Sequence, residues 1–597
     1  MTQKKMKFFH KNRPSHKTIY QGSFSTGKDS VRIIPLGGTG NVTKNMFVYE
    51  YRTEGKIRDI LIVDCGIGFP DPEMYGVDVV IPDVRYLEHT NQYIRGLVFT
   101  HGHDDHIGGI PYVYSKLGNI PMWGTTLTAA FANIKLRETK LHGRVMPVDF
   151  DRTIAIGAFR VSFVRVTHSV TDAANLIIES PVGTFYHGSD FKFDFDPLDG
   201  KRSELDKITE AGKRGILCLL SDSLGSERPG FTPSEQVVGE TIEKELRMAS
   251  GKVLFTTQSS NISRIQRAIE LAIQYGRSVA FLGRSIDQNV EESVKLGYMR
   301  FPREALVRDR DLKRIPPTKQ FLVVAGSQGQ EESALSRIAN DNHRFVSLDE
   351  GDTVIISADP IPGREHDVNH LIDQIYRKGA RVSYSDIMED LHVSGHGSQG
   401  DMMLMLSALG PRYLFPIGGT YKHLMQYRRL AQDLGYDKKD VLIPDEGQVI
   451  EFTSHNPPRV AETLELEHVM VDGLGVGDVG QIVLRDRQTI ATEGIVVVVV
   501  PIQLSTGRVT GSPDIVSRGF VYMKDSRKLL DAARQVVMRS LRPKKAPHAG
   551  HTRRQAGRHG RVFDWQFARK QISENLSILL ARETGRRPLI VPVIVEV

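Results

Sequence analysis

Residues 100 to 106 read THGHDDH and continue the apolar run RGLVFT at 95 to 100, with which they share Thr100. The run predicts a buried β-strand, and the residues after it hold three histidines and two aspartates. A His-x-His pair on an extended segment brings two imidazoles to one ion, while Asp105 and His106 can turn toward a neighbouring ion. Imidazole and carboxylate suit zinc or manganese. A chance surface cluster before a turn is the alternative, and four potential ligands within six residues make it the weaker one.

Two later strands end in further ligand types. RVTHSV at 165 to 170 places His168 after a strand, and YHGSD at 186 to 190 does the same for Asp190. Open α/β sheets build their sites at the carboxyl ends of strands. Taken alone, His168 would more often be a buried, hydrogen-bonded histidine, and Asp190 a turn or cap residue. Their order after the histidine cluster favours a metal site.

Hydrophobic patterning predicts an α/β protein. From Val31 to about Leu220, short apolar runs alternate with turn signals, which indicates strands of layered sheets. From about Arg228, helical stretches alternate with buried parallel-type strands, which is typical of a βαβ sheet with helices on both faces. SHNPPRV at 454 to 460 reads as a proline-containing linker. The last unit has its own strands and a helix at 526 to 541.

Composition restricts the class of protein. A chain of 597 residues is too long to fold around a single hydrophobic core, so we expect three folded units. Its two cysteines, Cys65 and Cys218, lie in apolar strand-like runs without a paired framework, which favours a reduced, cytoplasmic setting. The most apolar stretch, GIVVVVVPI at 494 to 502, is far shorter than the roughly 20 residues of a membrane span. We therefore predict no membrane or export segment.

Basic charge is concentrated in two stretches. Residues 1 to 20 carry six Lys/Arg and residues 542 to 561 carry seven, with no acidic residue in either. The net charge of the whole chain is +7, so the remainder is acidic, at −6. Basic segments gain affinity for polyanions by releasing counterions, which favours a nucleic acid partner. A solubilising tail remains the alternative, chiefly for the N-terminal stretch.

The motif order resembles the metallo-β-lactamase superfamily. Asp64 follows the second strand, and the His-x-His-x-Asp-His signature, His168 and Asp190 come after it in that order. The resemblance implies an αββα sandwich in which Asp64 mainly orients ligands and Asp190 bridges two metals. A hydroxide between two ions about 3.5–4 Å apart is a nucleophile at neutral pH. Carried over residue by residue, the first metal takes His101, His103, His168 and Asp190, and the second takes Asp105, His106 and Asp190.

A second resemblance concerns the inserted helical region, which is similar to a β-CASP domain of nucleic-acid-cleaving enzymes. Asp222 in LLSDS resembles the acid of motif A, and His396 in HVSGHGSQG resembles the histidine of motif B. Five segments together resemble bacterial ribonuclease J, namely GSQGQEESALSRIA, SADPIPGREHDVNHLI, HVSGHGSQGD, GQVIEF and SRGFVYMKDS. The resemblance implies 5′-to-3′ exonuclease and endonuclease action in RNA maturation and decay. It also implies single-stranded RNA with a 5′-monophosphate as substrate, a homodimer or homotetramer, and RNA-decay partners.

The HVSGH segment contacts RNA in that family. Glycine allows close backbone approach, and hydroxyl and imidazole donors suit phosphate. A Gly/Ser turn between two helices is the alternative. His396 can assist the departing ribose oxygen by donating a proton, with a hydrogen bond to a metal ligand as its other interpretation. The resemblance assigns RNA binding to His392, Val393, Ser394, Gly395, His396 and Ser398.

The predicted layout combines these patterns. It comprises a basic disordered tail at 1–20, a metallo-β-lactamase core at 21–225 and 366–453, a β-CASP domain at 226–365, a linker at 454–462, and a small C-terminal α/β domain at 463–597 with the basic insertion 542–561.

The sequence departs from the ribonuclease J pattern at three positions. Gly418 in PIGGTY stands where the family has a histidine that completes the second metal site. His423 is not a replacement, because the family also tends to have a histidine there. Asn41 and Ser263 stand where the family favours glutamate and histidine. We therefore expect two divalent ions, zinc above all, with manganese or magnesium as candidates for a weaker second site.

Two other functions remain open at this point. One is a catalytically weakened paralogue that acts as an RNA-binding or partner subunit, with Gly418 as its first lost ligand. The other is a metallohydrolase of small molecules such as thioesters, which neither the insertion nor the basic segments would explain.

Overall fold

The computed structural model describes residues 28–361, 363–473, 475–477, 479–503, 508–520, 527–541 and 565–596. The chain divides into two compact units, one made of the chain up to Phe69 together with Val79–Val469, the other of Pro70–Asp78 and Met470–Val597. Within the described ranges, no helix is both long and apolar enough to cross a membrane. The basic stretches 1–20 and 542–561 lie outside the described residues.

The first segment of the larger unit is rich in strands, as its short apolar runs predict. In β9, for example, the sequence FRVSFVR buries the phenylalanine and valine side chains and leaves the polar ones less buried. The strands are β1 (Asp29–Gly37), β2 (Met46–Thr53), β3 (Lys56–Val63), β4 (Val79–Ile81), β5 (Ile94–Val98), β6 (Met122–Gly124), β7 (Val145–Pro147), β8 (Thr153–Ile156), β9 (Phe159–Arg165), β10 (Ala174–Glu179), β11 (Thr184–Gly188) and β12 (Cys218–Asp222). The helices are α1 (Arg85–His89), α2 (Asp104–Ile107), α3 (Ile110–Val113), α4 (Thr126–Glu138) and α5 (Leu205–Arg214).

The inserted domain alternates helices and strands. Its elements are α6 (Gln236–Met248), β13 (Val253–Thr256), α7 (Ile262–Gln274), β14 (Ser278–Leu282), α8 (Arg284–Lys295), β15 (Gln320–Val324), α9 (Ala334–Ala339), β16 (Thr353–Ile356), α10 (Glu365–Arg377) and β17 (Arg381–Tyr384). The strands form one parallel sheet in the order β14-β15-β13-β16-β17. Its core is built around Leu254, Leu322 and Val354.

This sheet extends beyond the boundary predicted at residue 365. Strand β17 pairs with β16, with Arg381 opposite Thr353, and α10 connects the two strands. Hydrophobic periodicity gives no signal at 365, because the helix-strand alternation is the same on both sides of it. The inserted domain therefore continues to Tyr384.

The chain then returns to the first sheets through α11 (Gln399–Leu409), β18 (Tyr413–Ile417), α12 (Tyr421–Asp433), β19 (Gln448–Thr453) and β20 (Arg459–Thr463). Strands β19 and β20 pair antiparallel, and Arg459 bonds to Glu451 at 2.6 Å. The predicted linker 454–462 is thus a turn followed by most of an edge strand. Pro457 and Pro458 occupy the turn, which is why the stretch resembles a linker.

Two sheets face each other in the core of the larger unit. Their strand orders are β20-β19-β1-β2-β3-β5-β6-β7 and β18-β12-β11-β10-β9-β8. Phe47 and Leu61 of the first sheet pack in one buried cluster with Phe163, Phe185 and Leu220 of the second. This arrangement agrees with the predicted sandwich.

The smaller unit is an α/β domain. Its elements are β21 (Val469–Asp472), β22 (Gly475–Val476), α13 (Gln481–Glu493), β23 (Ile495–Gln503), β24 (Arg508–Val509), β25 (Asp514–Arg518), α14 (Arg527–Ser540), α15 (Trp565–Thr584) and β26 (Leu589–Glu596). The apolar run at 494 to 502 is mostly β23, which pairs parallel with β26 and antiparallel with β25. Val498, Val537 and Ile572 lie in its core. Helix α14 confirms the helix predicted at 526 to 541.

Parallel strands in both sheets of the larger unit end at the same edge. Strands β3 and β5 pair parallel in one sheet, and β11, β12 and β18 do so in the other. The residues that follow these five carboxyl ends include most of the predicted ligands.

Candidate metal centre

The histidine cluster lies where an extended segment becomes a helix. His103 has φ −78° and ψ 150°, and α2 begins at the next residue. His101 and His103 therefore project from extended backbone, whereas Asp105 and His106 project from the first turn of α2. This change of direction explains how six consecutive residues supply ligands to two neighbouring positions.

One oxygen of Asp190 faces four imidazole nitrogens. Asp190 Oδ2 lies 3.4 Å from Nε2 of His106, 3.6 Å from Nε2 of His101, 3.7 Å from Nε2 of His168 and 3.9 Å from Nε2 of His396. Ligands of one tetrahedral zinc ion, each about 2.1 Å from the metal, are separated by about 3.4 Å. Asp190 thus occupies the central position expected of a bridging carboxylate.

The donor set fits divalent metal ions. His101 Nε2 is buried without a hydrogen-bond partner in the structure, and a buried nitrogen of this kind calls for a ligand. The candidate ligand atoms in each group lie within 4.8 Å of one another. The groups are His101, His103, His168 and Asp190; Asp105, His106 and Asp190; and Asp190, Asp222 and His396.

Buried carboxylates and carbonyls orient the ligand imidazoles. Asp64, at φ 61°, accepts hydrogen bonds from Thr100 N and from His106 Nδ1, both at 2.8 Å. His168 Nδ1 donates to the carbonyl oxygen of Gly395 at 2.7 Å. In each case the other ring nitrogen, Nε2, points toward Asp190. Such outer contacts fix the tautomer of a metal-binding histidine.

Electrostatics favour neutral imidazoles at His101, His103 and His168 around an ionised Asp190. For His106, burial lowers the pKa, but the neighbouring carboxylates, Asp190 first, outweigh burial and hold it well above its usual value. Burial lowers the pKa of His101 and His168 well below the usual value and that of His103 to about 4. For Asp190, burial raises the pKa, but the charges of His106 and His396 outweigh burial and hold it well below its usual value. Metal ligands must be deprotonated to bind, and these four groups meet that requirement.

His396 and Asp222 form a hydrogen-bonded pair beside this cluster. His396 Nδ1 donates to Asp222 Oδ2 at 2.8 Å, and Asp222 is fully buried at the end of β12. Burial lowers the pKa of His396, whereas Asp222 and Asp190 raise it, with a net result of about 9. The two residues singled out by the β-CASP resemblance, 174 positions apart, are thus in direct contact.

The predicted RNA-binding segment borders the same site, but several of its groups are engaged within the protein. Ser394 Oγ accepts from His396 N at 3.1 Å, and Ser398 N donates to Asp401 Oδ2 at 2.9 Å. A Cβ at Gly395 would lie 2.6 Å from Ser169 Oγ and 2.8 Å from the His168 ring. The absence of a side chain at Gly395 therefore allows close packing against His168, a candidate metal ligand.

A buried charge network behind this segment has no counterpart among the sequence predictions. Arg264 donates to the two carboxylate oxygens of Glu235 at 2.9 and 3.0 Å, and Lys192 Nζ lies 3.4 Å from the same carboxylate. Arg264 also donates to Ser357 O at 2.8 Å and lies 3.0 Å from His392 Nδ1. The network therefore links α7 of the inserted domain to the segment that carries His396.

Gly418, Asn41 and Ser263, the three positions that depart from the family pattern, differ in their local contacts. Gly418 follows β18 at φ 67°, and a Cβ built there lies 3.4 Å from Asp222 Oδ1 and 3.8 Å from Asp190 Oδ1. A side chain at 418 would thus lie beside the carboxylates of Asp222 and Asp190. Asn41 Oδ1 accepts from Thr43 N at 3.0 Å, and Ser263 Oγ lies 2.7 Å from Thr171 Oγ1.

His423 makes its contacts outside the candidate metal groups, which agrees with the expectation that it does not replace the missing histidine. Its Nδ1 accepts a hydrogen bond from Thr420 N at 3.2 Å, and its Nε2 lies 3.2 Å from Glu227. It caps the first turn of α12 and does not belong to any of the three ligand groups.

Four family models together match most of the chain. The model of the metallo-beta-lactamase superfamily matches residues 43–247, and the model "Ribonuclease J, beta-CASP domain" matches residues 250–375. The model "Zn-dependent metallo-hydrolase RNA specificity domain" matches residues 384–444, and "Ribonuclease J C-terminal domain" matches residues 482–597. These matches agree with the sandwich, the inserted domain and the C-terminal domain described above.

Curated relatives align with nearly the full length of this chain. Ribonuclease J2 of Bacillus subtilis is 36% identical, with 95% of this chain and 99% of that protein covered. Ribonuclease J of Thermus thermophilus is also 36% identical, with 96% and 97% covered. Among solved structures, a protein of unknown function from Enterococcus faecalis V583 is 15% identical, covers 71% of this chain and 100% of its own, and has a TM-score of 0.50. That structure supports the fold alone.

Proposed function

The chain belongs to the ribonuclease J family, and we propose that it is a metal-dependent ribonuclease that hydrolyses RNA phosphodiester bonds. The observation that carries the proposal is the convergence of four imidazoles on Asp190 Oδ2, with His101 Nε2 buried and without a hydrogen-bond partner among the described residues. A scaffold that only bound RNA would not require this arrangement. The match to an RNA specificity domain at residues 384–444 supports RNA as the substrate.

Divalent ions are the cofactors that the ligand set would hold. We propose His101, His103, His168 and Asp190 for the first ion, with Asp105, His106 and Asp190 as part of the second site. Two neighbouring divalent ions supply an activated nucleophile at neutral pH and stabilise the charge of an in-line displacement at phosphorus. Nitrogen-rich ligands favour zinc at the first position, while the carboxylates of the second position also suit manganese or magnesium.

The residues around the ions have separate tasks. Asp64 holds His106 through its Nδ1 hydrogen, and Gly395 holds His168 in the same way. Both contacts direct Nε2 toward Asp190, where His106 Nε2 also lies 3.1 Å from Asn45 Nδ2 and His168 Nε2 lies 3.0 Å from His103 Nδ1. Proton donation to the departing oxygen, the role predicted for His396 from the sequence, requires a hydrogen on its Nε2, whereas metal ligation requires a lone pair on the same atom.

We further propose the finer properties that the resemblance to ribonuclease J implies. They are 5′-to-3′ exonuclease and endonuclease action on single-stranded RNA, a preference for a 5′-monophosphate, and assembly into a homodimer or homotetramer with RNA-decay partners. His392, Val393, Ser394, Gly395, His396 and Ser398 are the proposed RNA-binding residues. Cys65 and Cys218 are both buried and unpaired, which supports the proposed cytoplasmic setting.

An RNA cleavage assay tests the proposed function. Metal-loaded protein should degrade a 5′-monophosphate RNA faster than the same RNA with a 5′-triphosphate, and an internally labelled substrate should show whether cleavage also occurs inside the strand. Degradation of neither RNA, at any concentration of zinc, manganese or magnesium, would contradict a ribonuclease function.

Deleting residues 542–561 should weaken RNA binding and flatten its dependence on salt. Each RNA phosphate that the protein no longer neutralises reduces the slope of log K against log salt by about 0.7 for single strands, and the segment carries seven basic residues. Binding is measured over a salt series. The matched control replaces the segment with an uncharged Gly/Ser sequence of the same length, which separates charge from chain length. A slope that neither change alters would mean that the segment is a solubilising stretch.

A further inference from the structure

The position of His396 reproduces that of a metal ligand in the same centre. His106 donates from Nδ1 to the buried carboxylate of Asp64 at 2.8 Å and directs Nε2 toward Asp190 Oδ2 at 3.4 Å. His396 donates from Nδ1 to the buried carboxylate of Asp222 at 2.8 Å and directs Nε2 toward the same oxygen at 3.9 Å. A carboxylate that holds the far nitrogen of a histidine is a common support of metal-binding imidazoles.

The Nε2 atom of His396 is also available. Within the described part of the chain it makes no hydrogen bond, and the side chain is 21% exposed. Its 3.9 Å separation from Asp190 Oδ2 is close to the 3.7 Å of His168, a proposed ligand of the first ion. A movement of a few tenths of an ångström brings Nε2 to the separation of about 3.4 Å between ligands of one tetrahedral ion.

The second proposed metal position has three protein ligands, and both His396 and Gly418 lie beside Asp190 and Asp222. Asp105, His106 and Asp190 supply three protein ligands. Among the described residues, a Cβ built at Gly418 has two atoms within 4 Å, namely Asp222 Oδ1 and Asp190 Oδ1. Asp190, Asp222 and His396 form a ligand group of their own, joined to the other two through Asp190.

We propose that His396 is a ligand of the second metal ion in this chain, and that it occupies through Nε2 the coordination position that Gly418 leaves open. Asp222 is then its positioning residue. In this role the imidazole cannot also carry the proton for the departing oxygen. The inference rests on the proposed metal site, but it assigns a different task to His396.

Metal content distinguishes the two tasks. Purified protein is loaded with Zn²⁺ or Mn²⁺, dialysed, and analysed for metal per chain. We expect about two ions in the unmodified protein and about one in His396→Ala. The control is His370→Ala, which removes an exposed imidazole of α10 that lies outside the three ligand groups and should leave two ions. A proton donor alone would leave two ions in His396→Ala while cleavage falls, and that result would overturn the inference without affecting the ribonuclease function.

A second variant tests the open position directly. In the His396→Ala background, Gly418→His should restore the second ion, because a Cβ at 418 lies 3.4 Å from Asp222 Oδ1 and 3.8 Å from Asp190 Oδ1. Histidine is among the residues that adopt the left-handed conformation of Gly418 more readily than most. Gly418→Asn is the control, because it has a similar backbone tolerance without an imidazole. A single ion per unmodified chain at saturating metal would also overturn the inference.

Discussion

Replacing His101 and His103 together with alanine should abolish RNA cleavage while the protein stays folded. The two imidazoles are half of the proposed ligands of the first ion, and His101 Nε2 has no hydrogen-bond partner among the described residues. We expect cleavage to fall by more than about 10³-fold, since the loss of even one preorganised catalytic donor costs about 10²–10³-fold. The rate of RNA cleavage and the metal content per chain are measured together.

The control for this double variant removes two histidines elsewhere. His366 and His370 both lie exposed on α10, so His366→Ala/His370→Ala should keep full activity and metal content. Circular dichroism should show the same secondary structure in all three proteins, because the hydrophobic cores around Phe163 and Leu322 do not depend on the ions. Full turnover in the His101/His103 variant, in preparations free of contaminating nuclease, would contradict the metal mechanism.

The proposed ligands stand out in the sequence because each follows a recognisable strand. Buried strands read as apolar runs, and polar residues directly after them stand out. Asp64 follows β3 and contacts His106, and Asp222 ends β12 and contacts His396. The pairing of Asp222 with His396 is implied only by the resemblance, since no periodicity links positions 174 residues apart.

Other features give little local signal. Strand β2 has the sequence MFVYEYRT, in which charged residues interrupt the apolar ones, and the hydrophobic pattern does not predict it. Its glutamate, Glu50, is fully buried beside Arg52 and Tyr86. Only the tertiary structure reveals that the charged residue has partners there. Strand β20 is not predicted for a related reason, because an edge strand with exposed side chains carries no hydrophobic pattern.

The buried network around Arg264 is absent from the sequence predictions, although the helix pattern contains a clue. Arg264 lies four residues before Ala268 and next to Ile265, which places it on the buried face of α7. A charged residue on an apolar helix face needs a partner. The partner, Glu235, precedes α6 and cannot be identified from the sequence, because the contact depends on how two helices pack.

Glu235→Ala should destabilise the protein by about 3–5 kcal/mol, because it leaves charges buried without a counterion. Arg264 and Lys192 are each only 1% exposed at the side chain, and both approach the carboxylate of Glu235. Unfolding in urea measures the change. The matched control is Glu291→Ala, which breaks the exposed pair with Lys295 on α8 and should leave the unfolding midpoint unchanged.

The same variant should change the response of stability to acid. Burial raises the pKa of Glu235, but the charges of Arg264 and Lys192 lower it by more than burial raises it. The net pKa therefore lies below the usual 4.5. A carboxylate with a lowered pKa contributes stability above its unfolded-state pKa, and that contribution is lost as the pH falls through the folded-state pKa. The difference in unfolding free energy between the unmodified protein and Glu235→Ala should therefore be full at pH 7 and shrink below about pH 4.5.

Because Arg264 also lies 3.0 Å from His392 Nδ1, the loss of its partner should loosen the segment that carries His396. RNA cleavage should then fall even under conditions where the variant remains folded and holds its first ion. Normal stability and normal cleavage in Glu235→Ala would mean that water enters this site and that the network does not position His396.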